Sequence, residues 1–150
     1  MELEKYDTKK SADDMVYAFY SDGPRGSIRK VVEFQQIKGM SKNFFNLLFG
    51  DWDESAGKVD DTARSNNNDG KKTLFTVAGI IQYFMELYPK AIIMAVGSTH
   101  ARTRLYQINI TAYWEEIRLR YQIYGKFKGE WLPFEKGVNY QEFLVFRKIE

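Results

Sequence analysis

The chain has 150 residues, of which 44% are hydrophobic and 28% are charged, with no cysteine and a formal net charge of +2. This composition is typical of a globular protein, and it excludes disulfides, thiolate metal sites and a cysteine nucleophile. The net charge is too small to indicate nucleic-acid binding by itself. The length predicts one domain, which we place at residues 15–150.

The first fourteen residues, MELEKYDTKKSADD, are polar and of mixed charge. They lack the apolar segment of a signal peptide, and no apolar run approaches the roughly 20 residues that a membrane span needs. Together with the lack of cysteine, this predicts a cytoplasmic protein without membrane contact. Residues 1–14 are expected to form a disordered tail.

Three strands are predicted in the first third of the chain. Val16–Tyr20 and Ser27–Ile37 are rich in β-branched and aromatic residues and flank the breaker cluster DGPRG, which indicates a hairpin. Phe44–Phe49 supplies the third strand. Residues 51–72 then show no hydrophobic periodicity, and we expect them to form a long loop that is the least ordered internal segment.

Two helices and a strand are predicted next. Helical spacing begins at Thr73 and ends at Pro89. The apolar run Ala91–Val96 is typical of a buried central strand. A second helix is predicted to begin at Ser98 or Thr99, because both are good N-caps. Its apolar stripe consists of Ala101, Leu105, Ile108 and Ala112.

The second helix is expected to end near Glu116, where an alternation of apolar and polar residues begins. Ile117–Gly125 is therefore predicted to be a strand, and Phe143–Arg147 the last strand. The predicted order is β-β-β-α-β-α-β-β, with two main helices. This order indicates an α+β fold with a mixed, mostly antiparallel sheet.

The first candidate site lies where the strand Ala91–Val96 ends and the second helix begins. A helix N-terminus presents backbone N–H groups and about half a positive charge to an anion. Arginines in the first turn oppose the helix dipole, so a bound anion explains them better than helix stability does. The alternative is a capped helix with two solvated arginines. The candidate residues are Gly97, Ser98, Thr99, Arg102 and Arg104.

A second candidate site precedes the first helix, in the segment SNNNDGKK. Asn and Gly tolerate left-handed backbone conformations, and a backbone nest beside a helix N-terminus suits a phosphate. The alternative is a mobile turn with Asp69 or Thr73 as its cap. We expect both candidate sites to line one cleft. The candidate residues here are Asn67, Asn68, Lys71 and Lys72.

The remaining polar groups have simpler explanations. His100 is the only histidine, which excludes a metal site with several histidines. The acidic residues of the long loop could bind a divalent cation or supply a general base, but a solvated loop explains them better. They are Asp51, Asp53, Glu54, Asp60 and Asp61. A basic stripe suits either nucleic acid or, more simply, a solvated strand face: Arg118, Arg120, Lys126 and Lys128. No metal site is predicted, and no catalytic residue or cofactor is assigned.

The element order from Val16 onward resembles the core of the Gcn5-related acetyltransferase superfamily. In that fold three antiparallel strands lead into the helix that binds the coenzyme A pyrophosphate, and a strand and another helix follow. The segment GSTHARTRLYQI is similar to the later strand-to-helix turn of that family, with Leu105 and Tyr106 as its Leu-Tyr pair. The pyrophosphate motif Arg/Gln-x-x-Gly-x-Gly/Ala is absent, and RSNNNDGKKT precedes the first helix instead.

The segments FGD, SNNND, TVAGII and GSTHARTRLY resemble a small uncharacterised domain family of Bacteroidetes-type bacteria over most of the chain. That resemblance implies no activity. The residues favour a non-catalytic binder of a phosphorylated ligand, which is a nucleotide, a coenzyme or a nucleic acid, and a protein partner is also open. The alternative is an acyl- or nucleotide-handling enzyme of acetyltransferase-like topology in a toxin–antitoxin or conflict module.

Overall fold

The computed structural model describes residues 4–60, 67–97 and 99–148. Within these residues the fold is α+β, with three helices and a mixed, mostly antiparallel sheet of nine strands, which confirms the predicted fold class. The strands are β1 (Lys9–Lys10), β2 (Val16–Gly23), β3 (Gly26–Gln36), β4 (Phe44–Asp53), β5 (Lys58–Asp60), β6 (Ile92–Ala95), β7 (Tyr121–Phe127), β8 (Glu130–Pro133) and β9 (Phe143–Arg147). The helices are α1 (Gly70–Leu87), α2 (His100–Ala112) and α3 (Trp114–Arg120).

The chain divides into two compact units, and each is described by itself. The first unit comprises Met1–Gln35 and Leu48–Leu87, and the second comprises Gln36–Leu47 and Tyr88–Glu150. Strand β1 lies within the segment 1–14, to which the sequence assigned no structure. The division into a disordered tail and a single domain over residues 15–150 stays a prediction.

In the first unit β2 and β3 form the predicted antiparallel hairpin, with Tyr17 opposite Val32. Its two-residue turn lies between Gly23 and Gly26, and Gly26 has φ +90°, which glycine adopts without strain. Side chains alternate across a sheet, so every second residue of β2 faces α1. Tyr17 accordingly meets Tyr83 of α1 edge to face.

Helix α1 covers this hairpin with the apolar face that its spacing predicts. The ring of Phe84 stacks on Phe34 of β3 with centroids 3.9 Å apart, and Ile80 and Met85 are buried beside it. The helix begins three residues before the predicted start at Thr73. Asp69 directly precedes it, and its backbone carbonyl accepts a hydrogen bond from the Thr73 N–H at 2.9 Å.

The prediction of a long irregular loop over residues 51–72 is wrong in part. Strand β4 continues to Asp53, and β5 pairs antiparallel with it. The turn between them is closed by the Asp53 carboxylate, which accepts hydrogen bonds from the backbone N–H groups of Ser55 and Ala56. A hairpin held by polar groups has no apolar periodicity to reveal it. Residues 61–66 lie outside the described residues.

In the second unit β6 is an interior strand, as predicted. It pairs in parallel with β4, where Phe44 lies opposite Ile92, and antiparallel with β9, where Val145 lies opposite Ile93. Strand β7 then pairs with β9 and β8. Only alternate residues of β6 are fully buried, with Ile93 at the centre. The last strand has the predicted bounds, whereas β8, which ends at Pro133, was not predicted.

The predicted strand Ile117–Gly125 is wrong in its first half, because Ile117–Arg120 belong to α3. Helix α3 has two glutamates in its first turn and two arginines in its last, which complements the helix dipole. Arg118 Nε also donates to Glu115 Oε2 at 2.8 Å, a pairing three residues apart along the helix. The predicted basic stripe is therefore divided between α3, β7 and the turn after β7.

Candidate functional site

The N-terminus of α2 is capped by Thr99, as predicted. Thr99 Oγ1 accepts a hydrogen bond from the N–H of Arg102 at 3.2 Å, and the Thr99 carbonyl accepts one from the N–H of Thr103 at 3.1 Å. The N–H groups of His100 and Ala101 come before the first intrahelical bond, so the helix itself offers them no acceptor. Both residues are exposed. These two N–H groups form the part of the candidate site best placed to bind an anion.

Gly97 sets the shape of the turn before α2. A Cβ atom here would lie 2.4 Å from Arg102 Cβ and 2.5 Å from the Thr103 nitrogen, so only glycine lets the two segments approach this closely. Its own N–H donates to Thr103 Oγ1 at 3.0 Å. Gly97 thus fixes the position of the helix start, and its own N–H group is already hydrogen-bonded within the chain. Ser98 lies outside the described residues.

The two candidate arginines have different surroundings. Arg102 is half-buried in the first turn of α2, a turn that contains no acidic residue. Arg104 is exposed, and its Nη1 donates to Asn139 Oδ1 in the loop before β9. Arg104 is therefore bonded to a neighbouring loop, and Arg102 belongs to the first turn of the helix.

The N-terminus of α1 holds a carboxylate of the chain itself. Asp69 Oδ2 accepts hydrogen bonds from the Tyr6 hydroxyl at 2.6 Å, from the Thr73 hydroxyl at 3.2 Å, and from the buried Ser21 hydroxyl. This negative charge complements the positive end of the helix dipole. The Asp69 carboxylate thus sets a negative charge beside the start of this helix.

Asn67, a residue of the second candidate site, holds the β2–β3 turn. It is 2% exposed, and its Oδ1 accepts from the Arg25 N–H at 2.7 Å. Its Nδ2 donates to the carbonyls of Gly26 at 2.8 Å and Ser21 at 3.1 Å. Both ends of the amide are therefore bonded within the chain, and the residue joins the segment before α1 to the hairpin.

The other residues of the second candidate site lie around the start of α1. Asn68 is exposed and has φ +58°, a left-handed conformation. Lys71 and Lys72 belong to the first turn of the helix rather than preceding it. Lys72 Nζ lies 4.3 Å from the centre of the Tyr6 ring, a cation–π contact. That both candidate sites line one cleft stays a prediction.

Sequence reasoning missed two partners of Asp69. Tyr6 lies in the segment that was assigned no structure, and Ser21 directly follows the predicted strand Val16–Tyr20. The available signal was an aromatic residue within a polar segment, since a Tyr ring is rarely left without a packing surface. In the structure the ring of Tyr6 stacks on Phe19 with centroids 5.7 Å apart.

We expect Asp69→Ala to lower the free energy of unfolding at neutral pH by about 1.5–3 kcal/mol, the range for hydrogen bonds to charged groups, because the hydroxyls of Tyr6, Ser21 and Thr73 lose their charged acceptor. Burial raises the pKa of Asp69, but the hydrogen bonds from Ser21, Tyr6 and Thr73 outweigh it and leave the pKa below its ordinary value of 3.8. A lowered pKa means that the charged carboxylate stabilises the fold above the unfolded-state pKa, and that this stabilisation is lost as the pH falls through the folded-state pKa.

Urea unfolding of wild type and Asp69→Ala over a pH series measures this difference. The two stability curves should converge in acid, and Glu86→Gln on the exposed side of α1 serves as the control for an altered carboxylate. A stability difference that stays constant from neutral pH to below the folded-state pKa would contradict the role of the Asp69 charge.

The acidic residues of the predicted loop do not form a metal centre in the described part of the chain. No group of three or more His, Cys, Asp or Glu residues there is arranged to hold a metal ion. Asp51 is paired with Lys30, and Asp53 closes the β4–β5 turn. Asp61 lies outside the described residues. Among the described helices, none has the length and hydropathy to cross a membrane.

These features define an α+β protein with an exposed, threonine-capped helix N-terminus that lacks acidic residues in its first turn. Residues 2–148 match the family of unknown function DUF6934, and the chain belongs to this family. Neither a curated protein nor a solved structure matches the chain significantly.

Proposed function

We propose that the protein is a non-catalytic binder of a phosphorylated ligand at the N-terminus of α2. The ligand is a nucleotide, a coenzyme or a nucleic acid. The observation that carries the proposal is the exposed first turn of α2, where the N–H groups of His100 and Ala101 lie beside Arg102 without an acidic neighbour in that turn.

The chemistry of this helix end fits a phosphate group. Two backbone N–H groups and a guanidinium are donors only, and the helix dipole adds about half a positive charge. Hydrogen bonds of this kind to a charged acceptor are stronger than neutral ones. Because the site is exposed, salt screens it, and its affinity should fall as ionic strength rises.

Within the predicted set of site residues, the α2 group is the core of the proposal: Gly97, Ser98, Thr99 and Arg102. At α1 the Asp69 carboxylate would repel a phosphate, so the residues there are proposed only as a separate and weaker anion site. This weaker site consists of Asn67, Asn68, Lys71 and Lys72. Arg104 would join the α2 group only by leaving Asn139.

The second candidate function is an acyl- or nucleotide-handling enzyme with acetyltransferase-like topology, in a bacterial toxin–antitoxin or conflict module in the cytoplasm. The parallel pairing of β4 with β6, with α1 between them in sequence, supports it. In the acetyltransferases the corresponding helix binds the pyrophosphate. The Asp69 carboxylate at the start of α1 opposes that use, which makes this function the weaker candidate. Coenzyme A retained in the native mass would favour it.

We expect Arg102→Ala to weaken the binding of a phosphorylated ligand by about 1.5–3 kcal/mol, the range for hydrogen bonds to charged groups. The melting temperature should hardly change, since the Thr99 cap uses the backbone N–H of Arg102 and not its side chain. Calorimetric titration of wild type and variant with nucleotides, coenzyme A and short RNA measures the effect.

A matched control is Arg25→Ala, because Arg25 is exposed in the β2–β3 turn of the first unit. This variant should bind as wild type does. Absence of binding by wild type to all three ligand classes, or an Arg102→Ala variant that loses stability rather than affinity, would leave the helix start a purely structural turn.

A further inference from the structure

One face of the sheet in the second unit is covered by other parts of that unit. Side chains alternate along a strand, so residues directly opposite one another in the sheet share a face. On the covered face Ile93 and Phe143 are buried. The Tyr140 ring packs on Phe143, and it lies so close to Gly125 that a Cβ atom there would be 2.2 Å from the ring. Gln107 of α2 accepts a hydrogen bond from the Tyr140 N–H, so α2 lies on this side.

The opposite face of the same strands is only half-buried, and we call it the open sheet face. Its central row crosses four strands. Ile92 of β6 lies opposite Phe44 of β4 and Phe146 of β9. Phe146 in turn lies opposite Gln122 of β7. A second layer of protein would bury the middle of this face, yet none of its described residues on these strands is buried: Phe44, Asn46, Ile92, Met94, Gln122, Tyr124, Leu144 and Phe146.

The open sheet face carries aromatic rings on three of its strands, namely Phe44 on β4, Tyr124 on β7 and Phe146 on β9. The rings of Tyr124 and Phe146 meet edge to face with their centroids 5.7 Å apart. Met94 and Leu144 lie opposite each other on β6 and β9 and extend the apolar surface. Half-exposed aromatic rings on a sheet are surfaces on which unpaired bases stack.

A row of basic residues borders one end of the open sheet face. Each of the four strands has a lysine or an arginine two residues beyond the central row. The Lys148 N–H donates to the Arg120 carbonyl at 2.9 Å, which continues the pairing of β9 with β7 to this end. All members of the basic row are exposed, and among the described residues none of them is in an ion pair: Lys42, Lys90, Arg120 and Lys148. At the other end Glu142 is neutralised by Lys126 at 3.4 Å.

We propose that the open sheet face binds single-stranded nucleic acid, with bases stacked on its rings and phosphates beside the basic row. Stacking rings next to a line of cations are the chemistry by which proteins bind single strands. A protein partner would need an acidic segment beside an apolar one, whereas a single strand carries phosphates beside bases along its whole length. Because α2 lies on the covered side, this site is separate from the anion site proposed at the α2 N-terminus.

Fluorescence anisotropy with labelled oligo-dT and oligo-U of about 12 nucleotides tests the proposal, a length within the range that single-strand binding domains cover. Phe146→Leu keeps an apolar side chain but removes the ring. It should weaken binding at least about fivefold, the lower end of what the loss of one stacked base costs. Phe146→Tyr keeps the ring and should bind as wild type does. Melting temperatures of both variants establish that they are folded.

The salt dependence of binding tests the basic row. Lys90→Gln and Lys148→Gln should each reduce the slope of log affinity against log salt concentration by about 0.7, the value for one phosphate contact with a single strand. The matched control is Lys136→Gln, which removes an exposed lysine between Phe134 and Tyr140, two residues that pack on the covered face. This control should leave the slope unchanged.

The same titrations separate this site from the one at α2. Arg102→Ala should bind the oligonucleotides as wild type does, and Phe146→Leu should leave the binding of nucleotides and coenzyme A unchanged. If Arg102→Ala alone removed oligonucleotide binding, the strand would bind at α2, and the role of the open sheet face would be wrong while the proposed function stood. Absence of single-strand binding at low salt, equal binding of a duplex of the same length, or a Phe146→Leu variant that binds as tightly as wild type would also overturn the proposal.

Discussion

Phe84→Ala is expected to lower the free energy of unfolding by about 3–5 kcal/mol, the range for truncating a buried aromatic side chain. Phe84 is fully buried on α1 and stacks on Phe34 at a centroid distance of 3.9 Å, with interplanar angle 6°. Removing the ring takes away its burial and leaves a cavity beneath the helix. It also removes the aromatic contact that joins α1 to β3.

Urea unfolding at neutral pH measures this loss, and Leu87→Ala at the exposed end of the same helix is the control. Phe84→Leu, which keeps much of the volume, should recover part of the stability. If Phe84→Ala cost no more than Leu87→Ala, α1 would not pack on the hairpin in the way the structure describes.

The parts of the fold that sequence reasoning found are those with a strong apolar period. The β2–β3 hairpin, α1 and β9 each bury apolar residues on one face, so the period and the contact surface agree. Helix α2 differs, because its buried contacts are the hydrogen bonds of Thr103 and Gln107. Hydropathy cannot reveal a face that is buried through polar groups.

The contacts of the candidate site also fall into those that a sequence pattern predicts and those that it does not. The Thr99 cap is local, since donor and acceptor are three residues apart, and a sequence pattern predicts it. The hydrogen bonds of the Asp69 carboxylate come in part from Ser21 and Tyr6, which are 48 and 63 residues away. Only the folded hairpin brings these hydroxyls to the helix start, so no local pattern could assign them.

A buried ion pair in the first unit is another feature that local pattern did not reveal. Lys30 of β3 lies on the inward face of the hairpin, opposite Phe19, and its Nζ contacts Asp51 Oδ1 of β4. The two side chains are only 9% and 16% exposed. Asp51 also lies opposite Asp60 across the β4–β5 ladder, so the lysine sets a positive charge near two carboxylates.

Lys30→Met should therefore be strongly destabilising, near the lower end of the about 3–5 kcal/mol that loss of one partner of a buried pair costs. The variant leaves the largely buried Asp51 carboxylate opposite Asp60 without the lysine charge. Lys30→Met combined with Asp51→Leu should recover most of the loss, since an apolar pair of similar size replaces a buried ion pair at little cost.

Urea unfolding of the two single variants and the double variant measures the coupling energy between the two positions. If the stability losses of the two single variants simply added in the double variant, the two charges would not depend on each other. Recovery in the double variant would place Asp51 in the packing of the first unit, which is the structural alternative to the cation-binding or general-base role that the acidic sequence around it suggested.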